Sequence, residues 1–220
     1  RPKAIRALIL YPMNALVEDQ LVRLRKALDS DAVLRKMSDE LNGNRIFFGR
    51  YTSATPVAGR DKPLEATGKL KRNIKREELK KQLQQFSDTH TAAVEAAHEQ
   101  GDPDLPFNFP RGGGSEMLSR WEMQKYPPDI LITNTSMLST MLVREIEEDI
   151  FEKTREWLVS TEDAYFYLIL DELHLYRGSA GAENAFLLRH LLDRLGLTEQ
   201  KHRHKLRILC SSASLPDEGP

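Results

Sequence analysis

The stretch "YFYLILDELHLYRG", residues 165–178, decides the fold. An unbroken apolar run from Tyr165 to Leu170 ends in Asp171 and Glu172, with His174 two places on. A short continuous apolar run is the pattern of a strand buried on both faces, as in a parallel sheet. Two adjacent carboxylates repel each other, and each costs free energy to desolvate, so the pair belongs at the strand's end. Ligands of parallel sheets bind outside the carboxyl ends of the strands. There, one carboxylate can hold Mg²⁺ against a nucleotide phosphate, directly or through water. Its neighbour can accept a proton from an attacking water. Alternatively, both carboxylates sit near the following helix and are satisfied by backbone N–H groups or an arginine. This stretch alone leaves both readings open.

Working outward, the same pattern recurs. Residues 5–11 ("IRALILY"), 44–52 ("NRIFFGRYT"), 129–133 ("DILIT") and 206–212 ("LRILCSS") read as four further strands. Between them, Leu16, Leu21, Leu24 and Leu28 recur at helical spacing, and Leu188, Leu191, Leu192 and Leu195 share one helical face. A further helix begins in "SMLSTMLV" after residue 133, with Thr135 or Ser136 as its expected cap. The acidic stretch 145–157 is amphipathic, with Ile146, Ile150, Phe151 and Trp157 expected to face the core. Strands alternating with amphipathic helices define an α/β fold, a mostly parallel sheet covered on both faces.

Residues 58–128 break this rhythm. A basic segment, "KLKRNIKREELKKQ" (69–82), precedes a Pro- and Gly-rich one, "EQGDPDLPFNFPRGGGSE" (99–116). The expected organisation is one sheet domain built from 1–57 and 129–220, with 58–128 inserted as charged helix and loop. The basic run can track phosphates. A solvated helix, with Glu77 and Glu78 paired to lysines one turn away, is the preferred reading, because few aromatics interleave to stack bases.

The 220 residues suit one domain with an insertion, and 40% hydrophobic and 30% charged residues describe a soluble globular chain. No apolar run is long enough to span a membrane, and no signal-peptide cleavage region follows Arg1. The single cysteine, Cys210, excludes an internal disulfide and suits a reducing cytoplasm; it is expected as a small core residue. A net charge of −1 requires any nucleic-acid-binding surface to be local. His202 and His204 have no third ligand nearby, so "KHRHK" (201–205) reads as a polar loop rather than a metal site.

Four stretches stand in one order, each at a strand end: "ALILYPMNALVEDQ" (7–20), "DILITNTSML" (129–138), "DELH" (171–174) and "SAS" (212–214). This series resembles motifs Ia, Ib, II and III of the first RecA-like domain of superfamily 2, DEAD/DEAH-type helicases. "LYPMNAL.EDQ" is most similar to large bacterial DNA helicases, including those of phage-defence systems such as DISARM. Ser214 departs from the family's usual Ser-Ala-Thr but keeps a hydroxyl. The resemblance covers about 1–57 and 129–216 and implies an ATP-dependent helicase that uses ATP and Mg²⁺. Asp171 is implied to position the Mg²⁺, Glu172 to activate the hydrolytic water, and His174 to couple them to Ser212, Ala213 and Ser214. Pro12, Met13, Asn14, Thr133 and Asn134 are implied to contact nucleic acid, DNA in preference to RNA because the box reads "DELH".

No G-x-x-x-x-G-K-[ST] occurs in the sequence. "EATGKLK" (65–71) has Leu70 after Gly68-Lys69, and Pro63 where the first glycine should stand. In the resembling family that loop precedes motif Ia, and a second RecA-like domain follows motif III. The chain is therefore expected to be a piece of a larger helicase, inactive alone and without bound cofactor. Its expected partners are DNA, the remaining helicase domain and proteins of a defence complex. The alternative is a degenerate RecA-like module that binds nucleic acid or protein without hydrolysing ATP.

Overall fold

The computed structural model describes residues 2–12, 17–61, 74–176 and 178–212. Six strands form one sheet: β1 (Ala7–Tyr11), β2 (Phe48–Arg50), β3 (Glu116–Met117), β4 (Ile130–Asn134), β5 (Phe166–Leu170) and β6 (Leu206–Cys210). Their order is β3-β2-β4-β1-β5-β6, and every neighbouring pair is parallel. The helices are α1 (Val17–Leu28), α2 (Asp31–Glu40), α3 (Ile74–Gln100), α4 (Arg120–Lys125), α5 (Thr135–Val143), α6 (Glu148–Ser160) and α7 (Gly178–Arg194). This is the α/β class with the parallel sheet expected from the sequence.

Strand alternation sends side chains to two faces. Leu8, Leu10, Leu131, Leu168 and Leu170 join one buried cluster with Leu138, Met141 and Leu142 of α5, Ile150, Phe151 and Leu158 of α6, and Leu191 of α7. Tyr11 and Ile132 face the other way and pack with Val17 and Leu21 of α1 and with Phe48. Each fully buried Leu, Ile or Phe contributes roughly 1.5–3 kcal/mol, so the larger cluster dominates stability.

Several expectations change. Five strands were expected and six occur among the described residues; β3 lies inside the segment read as helix and loop. Its two residues are too few to show a period, and Glu116 is held there by Arg25 of α1. Arg25 Nε donates to Glu116 Oε2 at 2.6 Å and an Nη to Oε1 at 3.0 Å, with both side chains buried. Gly49 of β2 is needed here, since a Cβ would lie 2.6 Å from the Met123 sulfur of α4. The α5 cap is Asn134, not Thr135 or Ser136: its Oδ1 accepts from the Met137 N–H at 2.7 Å. In the acidic stretch Glu147 is fully buried while Ile146 is only half-buried. Cys210 is exposed rather than in the core, because β6 is the sheet's edge. Helix α3 buries only Ala93, in keeping with a solvated charged helix. No described helix is long and apolar enough to cross a membrane.

Candidate functional site

Parallel register brings the strand ends to one edge of the sheet. Tyr11 pairs with Asn134, Leu10 with Leu170, and Leu170 with Cys210, so the segments after β1, β4, β5 and β6 emerge side by side. Asp171 comes first after β5, its N–H donating to the Leu10 carbonyl at 3.2 Å. Ser211 donates its N–H to the Leu170 carbonyl at 3.0 Å and its hydroxyl to the Asp171 carboxylate. Glu172 has a left-handed backbone, φ 54° and ψ 48°. That conformation is uncommon for a residue with a Cβ and is the kind of local strain that gathers at functional sites. The strain turns the chain into a 3₁₀ turn, Leu173–Leu175, anchored by Leu173 N–H on the Ser211 carbonyl at 2.8 Å.

That turn carries His174 back towards Glu172. His174 Nδ1 lies 3.1 Å from Glu172 Oε2 and 3.3 Å from Ser212 Oγ. A carboxylate cannot donate, so the Nδ1 tautomer carrying hydrogen satisfies this geometry, with that hydrogen shared towards Ser212. One imidazole thus ties the segment after β5 to the segment after β6. Ala213 and Ser214 lie outside the described residues.

Two phenols flank Asp171. Burial, reinforced by the Asp171 charge, pushes Tyr176 up to about 12. Burial likewise drives Tyr11 far above its ordinary range, with Asp171 adding to the effect and Arg23 opposing it. Both rings therefore stay neutral at physiological pH and offer Asp171 no counter-charge. Gly181 lets α7 come close behind them: a Cβ there would lie 2.5 Å from the Tyr176 carbonyl oxygen.

A carboxylate beside a hydroxyl is a hard oxygen donor set suited to Mg²⁺, which takes its remaining ligands from water and phosphate. Asp171 with Ser211 fits that requirement. Among the described residues no three His, Cys, Asp or Glu side chains form a metal-binding group.

The residues expected to meet nucleic acid divide three ways. Pro12 is half-buried at the edge, and Met13 and Asn14 lie outside the described residues. Thr133 is fully buried, and its hydroxyl donates to the Tyr51 carbonyl at 2.7 Å. Asn134 is buried and caps α5. Thr133 is thereby committed to shaping the edge, not to presenting a hydroxyl from it. Sequence reading missed Ser211, one position before the serine it singled out. It also missed Tyr51, whose hydroxyl donates to Glu147 and whose ring lies under the Arg120 guanidinium beneath the β2 end. No spacing in the sequence signals those contacts.

The chain is thus a parallel α/β sheet with an Asp-Glu pair and a bridging histidine at its carboxyl edge, the edge at which ligands of such sheets bind. No profile of a known protein family matches the chain. The chain is 38% identical, over 98% of its own length, to Druantia protein DruE of Escherichia coli (strain UMEA 4076-1). It spans 13% of that relative's length. Among solved structures it is similar to the DUF1998 helicase MrfA, with a TM-score of 0.47, 20% identity, and coverage of 97% of this chain and 20% of that one. It is also similar to Mycobacterium smegmatis helicase Lhr bound to ssDNA and AMP-PNP, with a TM-score of 0.45, 20% identity, and coverage of 98% and 18%.

Proposed function

We propose that the chain is part of the first RecA-like domain of a larger ATP-dependent DNA helicase or translocase of the DEAD/DEAH-type superfamily, acting in phage defence. The observation that carries this reading is His174 Nδ1 between Glu172 and Ser212, which links the two strand ends the motif order had singled out. The identity to DruE across nearly the whole chain supports it, and the small share of DruE covered fits a piece of a longer protein. Asp171 and Ser211 would hold Mg²⁺, which supplies charge neutralisation at the nucleotide phosphates. Glu172 takes the proton of the attacking water, its orientation set by His174. Through His174, Ser212 carries any change at Glu172 into β6. Pro12 and Asn134 are the nucleic-acid contacts at the same edge, and Met13 and Asn14 are assigned that role by their motif alone.

The test is ATP turnover by the longer protein with and without DNA. We expect stimulation by DNA more than by RNA, and loss of turnover on Glu172→Gln with nucleotide binding retained. A fully active Glu172→Gln protein removes the base assignment; a protein that no nucleic acid stimulates removes the helicase reading.

A second reading, a binding module without hydrolysis, is favoured by one observation: no G-x-x-x-x-G-K-[ST] loop occurs in these 220 residues. A phosphate loop in the preceding part of the longer protein decides for the motor, its absence for the module. The 220 residues alone should neither turn over ATP nor bind it tightly. Calorimetry with ATP and Mg²⁺ checks this, and micromolar binding would move the nucleotide site elsewhere.

A further inference from the structure

A buried polar cluster lies behind the β2 end of the same edge, and none of its residues has a role in the chemistry above. At its centre is Glu147, 0% exposed, in the 3₁₀ turn Glu145–Glu147 between α5 and α6. Its Oε1 accepts from the Tyr51 hydroxyl at 2.7 Å, while its buried Oε2 has no hydrogen-bond partner. The Arg144 Nε at 3.4 Å supplies charge without a hydrogen bond. Gln124 of α4 donates to the Tyr51 hydroxyl at 2.8 Å, and the Arg120 guanidinium lies over the Tyr51 ring, 5.5 Å from its centroid. Arg120 is itself buried, and its Nε has no hydrogen-bond partner.

Such a cluster is a poor way to stabilise a fold. Buried, incompletely satisfied charges often cost as much as they contribute, and apolar replacements of similar volume are commonly neutral or stabilising. What the cluster does achieve is positional. Tyr51 is gripped at its hydroxyl by Glu147 and Gln124, and at its carbonyl by Thr133. The chain that follows folds into a tight turn. The Thr52 N–H donates to Thr55 Oγ1 at 3.0 Å, the Thr55 N–H to the Thr52 carbonyl at 3.1 Å, and the Thr55 hydroxyl to the Arg50 carbonyl at 2.6 Å. Helix α4 clamps the outside. Arg120 donates to the Thr52 carbonyl at 2.7 Å and, through its N–H, to the Pro56 carbonyl at 3.1 Å, while Trp121 Nε1 reaches the Gly59 carbonyl at 2.9 Å. Only the tip, Ser53 and Ala54, is exposed. It sits at the carboxyl edge beside Thr133 and Asn134, since Arg50 of β2 pairs with Ile132 of β4.

We infer that Glu147 is a positioning residue for nucleic acid: through Tyr51 it fixes the Thr52–Thr55 turn, so that its exposed tip, Ser53 and Ala54, stands as a rigid ledge for the sugar-phosphate backbone. The inference rests on the nucleic-acid reading proposed above. The donors of Thr52, Thr55 and Thr133 are spent on holding the turn, and the tip offers the Ser53 hydroxyl, a kind of group that meets phosphate oxygens without reading sequence. Ordering the tip before the ligand arrives removes the entropy that a loose loop gives up on binding. On this view a costly buried carboxylate is retained because it sets geometry at the edge.

The experiment uses the longer protein and reads ATP turnover against the concentration of single-stranded DNA, together with the melting temperature. Glu147→Leu should melt at or above the wild-type temperature. Its half-saturating DNA concentration should rise about tenfold, while turnover at saturating DNA stays within twofold. Glu147→Gln, which still accepts from the Tyr51 hydroxyl, should restore most of the DNA affinity. If the Leu variant does not fold, Tyr51→Phe decides by the same readout, because it removes only the hydroxyl. An unchanged half-saturating concentration in the deciding variant overturns the inference and leaves the helicase reading standing. An equal loss of melting temperature and turnover also overturns it, since that is a structural role alone. A wild-type protein that no nucleic acid stimulates overturns the functional reading first.

Discussion

The two flanks of the sheet are built differently. On the β2–β3 side each strand is locked from outside. The Arg25–Glu116 pair is buried, Asp29 accepts from the Ser115 N–H, and Met117, Trp121 and Met123 seal the surface. On the β6 side nothing comparable is present among the described residues. Ile208 and Leu209 are 53% and 52% exposed, Cys210 is exposed, and Tyr167 of β5 shows 40% of its surface. Yet β6 is mostly apolar, with Leu206, Ile208 and Cys210 on one face and Leu209 beside Arg207 on the other, a composition that edge strands in natural proteins tend to avoid. One flank is finished by the segment between β2 and β4; the other ends on a strand whose sequence suits burial.

The largest expected effect lies on the finished flank. Glu116→Ala leaves Arg25 buried without its counter-charge, and urea unfolding should show a loss of about 3–5 kcal/mol. A change within 0.5 kcal/mol would mean the pair is not buried in solution. The matching substitution on the open flank, Leu209→Ser, should change the stability of this chain by no more than about 0.5 kcal/mol, as exposed positions do. It should also lower self-association, measured by light scattering, because it interrupts an apolar edge. The Cys210 thiol should react with a maleimide in the native chain as readily as in denaturant, and markedly more slowly if the longer protein covers β6. The smallest effect concerns pH. Below pH 10 the Tyr176 phenol is neutral in both folded and unfolded chains. Between its ordinary 10.0 and about 12 the unfolded chain ionises first, so stability falls as pH rises through that window. Thermal melting from pH 9 to 12 checks the sign, and Tyr176→Phe should flatten the slope.

The flanks also differ in how far they could be read beforehand. Strand β5 and its acidic pair were legible because apolar continuity and an abrupt charge are local signals. Leu191 and Leu195 were placed correctly for the same reason: helical spacing reports a face. Strand β3 was not legible, since two residues carry no period and Glu116 belongs there only through Arg25, far off in the chain. Glu147 was invisible as a core residue because its partner Tyr51 comes from another element. Composition made Cys210 a core candidate, but an edge is a property of the whole sheet. Ser211 escaped notice because a one-residue shift in strand ending decides which serine meets Asp171.

The pairing of β1 has a consequence for how the chain reaches this structure. Ala7 pairs with Ile130 on one side and with Tyr167 on the other, and among the described residues no strand close in sequence pairs with β1. The central ladder cannot close until those distant segments are available, and the entropy of closing such loops comes before any reward from contact. During synthesis, β1 must therefore wait for residues 130–134 and 166–170 before either of its ladders can form. Its apolar "ALILY" is then a segment on which a chaperone holding the nascent chain would act.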